Sequence, residues 1–276
     1  MHCCVWAVST FGPSGYLQEE EWQADAPLAA RIALFARVRG KPKICAVPPR
    51  FENKIILGDC REILRRMPAE SVDLLLTDPP YGMRYRSSAG SRLIVGDDDL
   101  SWFRPFICEA FRVLKPNTHA YLFCNEYGLA TFRTEMAAAG FKVKRLLVWV
   151  KDQHTAGDLP GDYANRTEYL LFGHKGRRLL NGHRDTNVLF FKRVGRRRDH
   201  PTEKPEAMLR YLIEKSSTLG ELVLDPFAGS GTTCKASKDL GRRYLGIEID
   251  PRYGEIAQRR MRAMRSRHLR DIRLAA

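Results

Sequence analysis

Leu222-Val223-Leu224-Asp225-Pro226-Phe227-Ala228-Gly229-Ser230-Gly231-Thr232-Thr233 is the stretch on which the fold class turns. A short branched apolar run ends in an acid, passes through a loop with two glycines and enters a segment of helical period, which reads as strand, turn, helix. Glycine lets a backbone pass close to a ligand where a side chain would collide. The spacing departs from the G-x-G-x-x-G turn of dinucleotide sites, and no Lys precedes the Ser/Thr as a phosphate-cradling loop requires. The loop therefore suits a nucleoside-type cofactor without phosphates. Downstream, Tyr244 to Asp250 reads as a strand ending in acids. Glu248 falls about 20 residues past the glycines, the spacing at which a carboxylate reaches ribose hydroxyls.

Outward from that loop, branched apolar runs alternate with helical stretches. Candidate strands are Ile55–Gly58, Val72–Thr77, Ala120–Cys124, Leu146–Val150, Tyr169–Gly173, Leu222–Asp225 and Tyr244–Ile249. Helices are expected near Arg61–Arg66, Trp102–Leu114, Tyr127–Ala139, Pro205–Ser216, Thr232–Leu240 and Tyr253–Arg267. This alternation predicts an α/β fold, a doubly wound and mostly parallel sheet. Residues 54–150 and 200–276 form its two halves. Residues 151–199 break the rhythm with several glycines and a basic rim, and read as a strand-containing insertion. Residues 1–53 lack the pattern and read as an N-terminal extension whose role the sequence does not state.

Charge is the unusual feature of the composition. Lys and Arg number 46 against 32 Asp and Glu, a formal net charge of +14. Such a surface suits a polyanion, because each cation near a phosphate releases a condensed counterion; a solvated basic surface is the plain alternative. No run approaches the roughly 18 apolar residues of a membrane span, and the start lacks the basic opening of a secretory signal. A soluble, cytoplasmic chain with no membrane contact is expected. The seven cysteines are scattered without a C-x-x-C pair, against both a disulfide framework and a zinc site. The histidines show no metal-ligand spacing, so no metal is expected.

Asp78-Pro79-Pro80-Tyr81 directly follows the apolar run Val72 to Leu76. In open α/β sheets ligands bind outside the carboxyl ends of strands, which is where this tetrapeptide falls. Two prolines fix φ and stiffen the turn, presetting a carboxylate, a carbonyl at Pro79 and an aromatic plate at Tyr81. An aromatic amine has its lone pair delocalised into the ring and is a poor nucleophile. If Asp78 and the Pro79 carbonyl accept its two N–H bonds, the nitrogen can pyramidalise toward a methyl donor while Tyr81 stacks on the base. In isolation the four residues also read as a rigid turn.

Asp78-Pro79-Pro80-Tyr81, the run Asp225 to Thr233, and His200-Pro201-Thr202-Glu203-Lys204-Pro205 together resemble the signature set of the amino-methylating DNA methyltransferases, in the order of the beta group. The resemblance spans roughly Ile55 to Met261. It implies a Rossmann-like methyltransferase fold with a small target-recognition insertion at 151–199, S-adenosylmethionine as cofactor, and double-stranded DNA as partner with the target base flipped out. It implies catalysis by Asp78, Pro79, Pro80 and Tyr81. The cofactor pocket would comprise Asp59 and Cys60 after the first strand, Asp78, Thr202 and Lys204, then Asp225, Phe227, Ala228, Gly229, Ser230, Gly231 and Thr232, with Glu248 on the ribose. Arg166, Arg177, Arg178, Arg184 and Arg196 to Arg198 are candidates for phosphate or guanine contacts. Glu203 stands where many relatives carry Gln. Asp at the head of the tetrapeptide leans toward adenine N6, with cytosine N4 as the near alternative. A catalytically silent DNA-binding regulator of the same fold is the alternative from another class. Relatives often dimerise, so a homodimer is within the family's range.

Overall fold

Val72–Thr77 is buried along its whole length, the environment of a strand covered on both faces. The structure, a computed structural model, describes residues 10–11, 17–18, 47–82, 96–154, 161, 163–195 and 203–275. It divides into two units, Met1–Ile44 and Cys45–Ala276. In the first, Thr10–Phe11 pairs antiparallel with Leu17–Gln18. The second holds eight strands in one sheet. These are β1 (Lys54–Leu57), β2 (Val72–Thr77), β3 (Leu114–Cys124), β4 (Lys142–Val150), β5 (Thr167–Lys175), β6 (Val188–Phe190), β7 (Leu222–Asp225) and β8 (Arg243–Glu248). Among the described residues six α-helices accompany them: α1 (Cys60–Arg65), α2 (Phe103–Val113), α3 (Leu129–Ala138), α4 (Glu206–Ser216), α5 (Thr232–Asp239) and α6 (Pro251–Ala275).

The spatial order is β1-β8-β7-β2-β3-β5-β4-β6. All neighbours run parallel except β5, which is antiparallel to both β3 and β4. Side chains alternate across each strand, and the two faces carry separate cores. Leu64, Phe103, Phe106 and Phe132 cover one face over Leu75, Ala120 and Leu122. Met208, Leu209, Leu212 and Ala236 cover the other over Leu74, Leu76, Tyr121 and Phe123. A mostly parallel sheet wound on both sides is as the sequence predicts.

The chain leaves β2 through α2 to β3 on one side, and leaves β7 through α5 to β8 on the other. The order therefore reverses between β2 and β7, the topological switch point where α/β sheets open a crevice at the carboxyl ends of their strands. Asp73 fastens the opposite end of this pair, accepting from the Leu222 N–H at 2.8 Å and from Lys115 Nζ at 2.7 Å.

Several boundaries differ from the sequence reading. Val47 and Phe51 are buried in the main core, and the second unit begins at Cys45. β3 starts at Leu114, not Ala120, and β4 starts at Lys142, with a register shift between Val143 and Arg145. The segment 151–199 supplies β5 and β6 to the main sheet.

Candidate functional site

The Thr77 hydroxyl donates to Asp225 Oδ1 at 2.8 Å, tying the carboxyl ends of β2 and β7 together. The tetrapeptide after β2 and the glycine turn after β7 thereby sit side by side. Asp225 also accepts from the Phe227 N–H at 3.2 Å, which shapes the start of the turn. Burial pushes its carboxyl up to about 6, against the pull of its bonds from Thr233 and Thr77. Gly229 and Gly231 both adopt positive φ, 50° and 81°. A Cβ on Gly231 would lie 2.9 Å from the Ala257 Cβ of α6, so this glycine is required by conformation and by packing alike.

A cavity of about 110 Å³ opens at this junction. Pro80 of the tetrapeptide and Pro226 and Phe227 of the glycine turn line it together with Asp59, Glu248 and Trp102. Phe227 packs against Trp102 and Phe106 at centroid distances of 5.2 and 5.0 Å. Trp102 is fixed in turn by its indole N–H on the Gly96 carbonyl at 2.7 Å. Glu248 Oε2 accepts from the Gly229 N–H at 2.7 Å, and Oε1 from the Asp250 N–H at 2.8 Å. Burial raises its pKa while those amides restrain the rise. Asp59 caps α1 through the Arg61 N–H and binds the Arg61 guanidinium, which holds its carboxyl below the usual range. The cavity's one Arg is thus neutralised in place. Two acids, two aromatic rings and a glycine turn suit an uncharged nucleoside better than a phosphate.

The tetrapeptide's polar groups enter a buried charged cluster. Lys204 Nζ lies 2.9 Å from Asp78 Oδ2 and 2.6 Å from Glu168 Oε1. The Tyr81 hydroxyl bonds Asp78 Oδ1 and also Glu168 Oε1, the latter at 3.1 Å. Lys151 Nζ reaches Glu168 Oε2 at 3.3 Å. Burial raises the pKa of Asp78, Lys204 opposes that, and Glu168 adds to it. Glu168 is itself held low, because Lys204 and Lys151 outweigh its burial. For Lys204, burial is outweighed by the two carboxylates, and the ammonium is held above its ordinary range. The Gly82 N–H donates to Asp97 at 2.8 Å, anchoring the end of the turn.

Most of the expected site residues are therefore brought together at one end of the sheet. Asp59, Asp78, Pro79, Pro80, Tyr81, Lys204, Asp225, Phe227, Ala228, Gly229, Gly231 and Glu248 lie at the ends or exits of β1, β2, β7 and β8, or in the cluster joined to them. Thr202 and Arg196 to Arg198 fall outside the described residues. Ser230 is buried. The Thr232 hydroxyl is engaged elsewhere, donating to Glu203 at 2.8 Å, a carboxylate that also pairs with Arg260 at 3.0 Å. Cys60 lines the cavity with a thiol that burial pushes up to about 12, an inert group.

Trp102, Lys151 and Glu168 were not anticipated. Trp102 opens an expected helix, and only an aromatic residue at that N-terminus hinted at a role. Glu168 lies at the start of β5 and Lys151 just after β4, in a segment read as insertion, so no motif flagged them. Of the arginines proposed for DNA, Arg178 is paired with Glu221 at 2.8 Å. It lines, with Arg177 and Arg184, a larger cavity of about 1020 Å³ under β4 and α4, away from this crevice.

Comparison with known proteins agrees with this geometry. A family model described as "DNA methylase" matches residues 72–259. Over 212 residues the chain is 38% identical to the Escherichia coli (strain K12) protein named "Putative methylase YubD", covering 77% of this chain and 91% of that one. It is 32% identical over 252 residues to the DNA adenine methyltransferase YhdJ of the same organism, covering 78% and 85%. The crystal structure of the M1.HpyAVI-SAM complex superposes with a TM-score of 0.62 at 25% identity, over 75% of this chain and 98% of that one.

Proposed function

The chain belongs to the DNA methylase family, and we propose that it transfers a methyl group from S-adenosylmethionine to the N6 amine of an adenine in DNA. The observation that carries this reading is the Thr77–Asp225 bond at the switch point. Because of it, Pro80 and Phe227 line one cavity, and an amine held by the first turn faces a nucleoside held by the second.

The residues present fit S-adenosylmethionine by the chemistry of their donors. Each Glu248 oxygen spends one lone pair on a backbone amide and keeps another for a ribose hydroxyl. Phe227 and Trp102 offer apolar surface to a purine, and among the described lining residues the one cation, Arg61, is paired with Asp59. Lys204, expected at the methionine end of the cofactor, has its ammonium neutralised by Asp78 and Glu168 and serves the amine site. When bound, the cofactor supplies a methyl group on a positively charged sulfur.

The chain's own residues do the rest. Asp78 and the Pro79 carbonyl accept the two amine N–H bonds, which favours the pyramidal nitrogen, and Tyr81 stacks on the base. Catalysis is by positioning and oriented hydrogen bonds rather than through a covalent enzyme intermediate. The alkylated nitrogen is acidic, and its proton leaves to Asp78 or water. A base inside a duplex is out of reach, so it is extruded at a cost of roughly a few kcal/mol. A second copy of the chain is compatible with this chemistry but not needed for it.

The test is transfer of labelled methyl from S-adenosylmethionine to duplex DNA, followed by digestion to nucleosides. Labelled N6-methyl-2′-deoxyadenosine is the expected product. Labelled N4-methyl-2′-deoxycytidine would move the reading to the cytosine branch, and DNA retention without transfer would replace it with a silent regulator.

A further inference from the structure

We propose that Glu168, at the start of β5, is a positioning residue that frees Asp78 for the substrate amine by taking over the two donors that occupy it. The proposal rests on the amino-methylation read above. In the structure both oxygens of Asp78 are engaged, Oδ1 by the Tyr81 hydroxyl and Oδ2 by Lys204 at 2.9 Å. Each oxygen keeps a second lone pair, but a carboxylate already shared with a hydroxyl and an ammonium is a weaker acceptor for an amine N–H than one relieved of either.

Each of these donors already touches a second acceptor, and it is the same atom. Glu168 Oε1 lies 2.6 Å from Lys204 Nζ and 3.1 Å from the Tyr81 hydroxyl. Moving the Tyr81 proton from one carboxylate to the other needs only rotation about its C–O bond. Lys204 carries three N–H groups and keeps a charged partner throughout. Lys151, whose ammonium sits 5.2 Å from the Trp149 ring centroid, holds Glu168 Oε2 from the far side at 3.3 Å. Two lysines and two carboxylates balance, so the exchange strands no charge in a buried site, where an unpaired ion is expensive.

The topology explains why this residue comes from β5. The strand runs against its neighbours, so its first residues, not its last, face the end of the sheet where β2 and β7 finish. Without Glu168, Asp78 would be the one carboxylate facing Lys204, whose other contact is the Tyr81 hydroxyl at 3.3 Å, and the amine would compete with a full ion pair for it.

The experiment compares wild type with Glu168→Gln, which keeps size and an acceptor oxygen but removes the charge. Three quantities are measured: the single-turnover methyl-transfer rate with DNA and S-adenosylmethionine pre-bound, the dissociation constant for each ligand, and the pH dependence of the rate. The rate is expected to fall about 10- to 100-fold, the scale of a small mispositioning, with both dissociation constants within about threefold. The acid limb is expected to shift to lower pH, because the Glu168 charge no longer disfavours ionised Asp78. A merely structural role would not move that limb. Should Glu168→Gln fail to fold, Glu168→Asp retains the charge and is expected to keep the wild-type limb with a reduced rate. A Glu168→Gln rate within twofold of wild type, an unmoved acid limb, or a slow rate matched by an equal loss of cofactor affinity would each overturn the proposal while leaving the methyltransferase reading intact. Absence of transfer by wild type would overturn that reading, and this proposal with it.

Discussion

At Asp78 the carboxylate that must accept an amine is half-buried, bonded to Tyr81 and paired with Lys204. Asp78→Ala removes the acceptor without touching the glycine turn or Glu248. Methyl transfer is expected to fall at least about 100-fold, the cost of losing one transition-state hydrogen bond, with cofactor affinity by calorimetry changed by less than about fivefold. Asp225 behaves differently, since its bonds hold the sheet rather than a substrate. Burial lifts its pKa from 3.8 to about 6, so the folded state binds this proton more tightly than the unfolded chain does. The stability it contributes is full below pH 3.8 and lost as pH rises through about 6. In Asp225→Asn that part of the pH dependence should vanish, and equilibrium unfolding of both proteins between pH 4 and 7 would reveal it. An unchanged slope would mean that Asp225 is not the group responsible.

Between elements, the contact that most constrains the glycine turn is with α6. Gly231 stands at φ 81° with room for a Cβ only 2.9 Å from Ala257, so Gly231→Ala adds left-handed strain to a clash. A loss of about 1–3 kcal/mol is expected in denaturant unfolding. The same elements show what was legible in advance. β2, β7 and β8 were read nearly to the residue, because buried parallel strands are continuous apolar runs closed by acids or prolines. The polar opening of β3 and the Lys-Val-Lys-Arg opening of β4 carry no such signal and were missed. β6, three residues long at the sheet edge, was missed for the same reason. The antiparallel direction of β5 is a tertiary fact with no local signature, and the role of Glu168 was hidden with it. Asp59, Asp78, Phe227 and Glu248 were legible because they follow strands in sequence. Lys151 and Trp102 become neighbours of the site only once the sheet is assembled.

For the molecule as a whole, a net charge of +14 has a direct consequence for DNA binding. Each phosphate neutralised contributes a slope of about −0.9 to the dependence of log affinity on log salt. Raising salt from about 50 to 200 mM should therefore weaken duplex binding by about 10³-fold if six contacts form. Cofactor binding should stay nearly constant over that range. Fluorescence anisotropy with labelled duplex measures the first, and a flat DNA isotherm across salt would show that the cations are plain surface.

The centre of the sheet joins Leu74 to Val223 and Leu75 to Leu224, partners separated by more than half of the chain. A ribosome therefore emits β2 long before its neighbour exists, and the nascent first portion carries an open apolar seam until translation nears its end. Pieces covering 47–195 and 203–276, produced apart, should each be aggregation-prone and lack a cooperative unfolding transition; produced together, they should recover one. If the first piece alone melted cooperatively, the seam would be dispensable for folding.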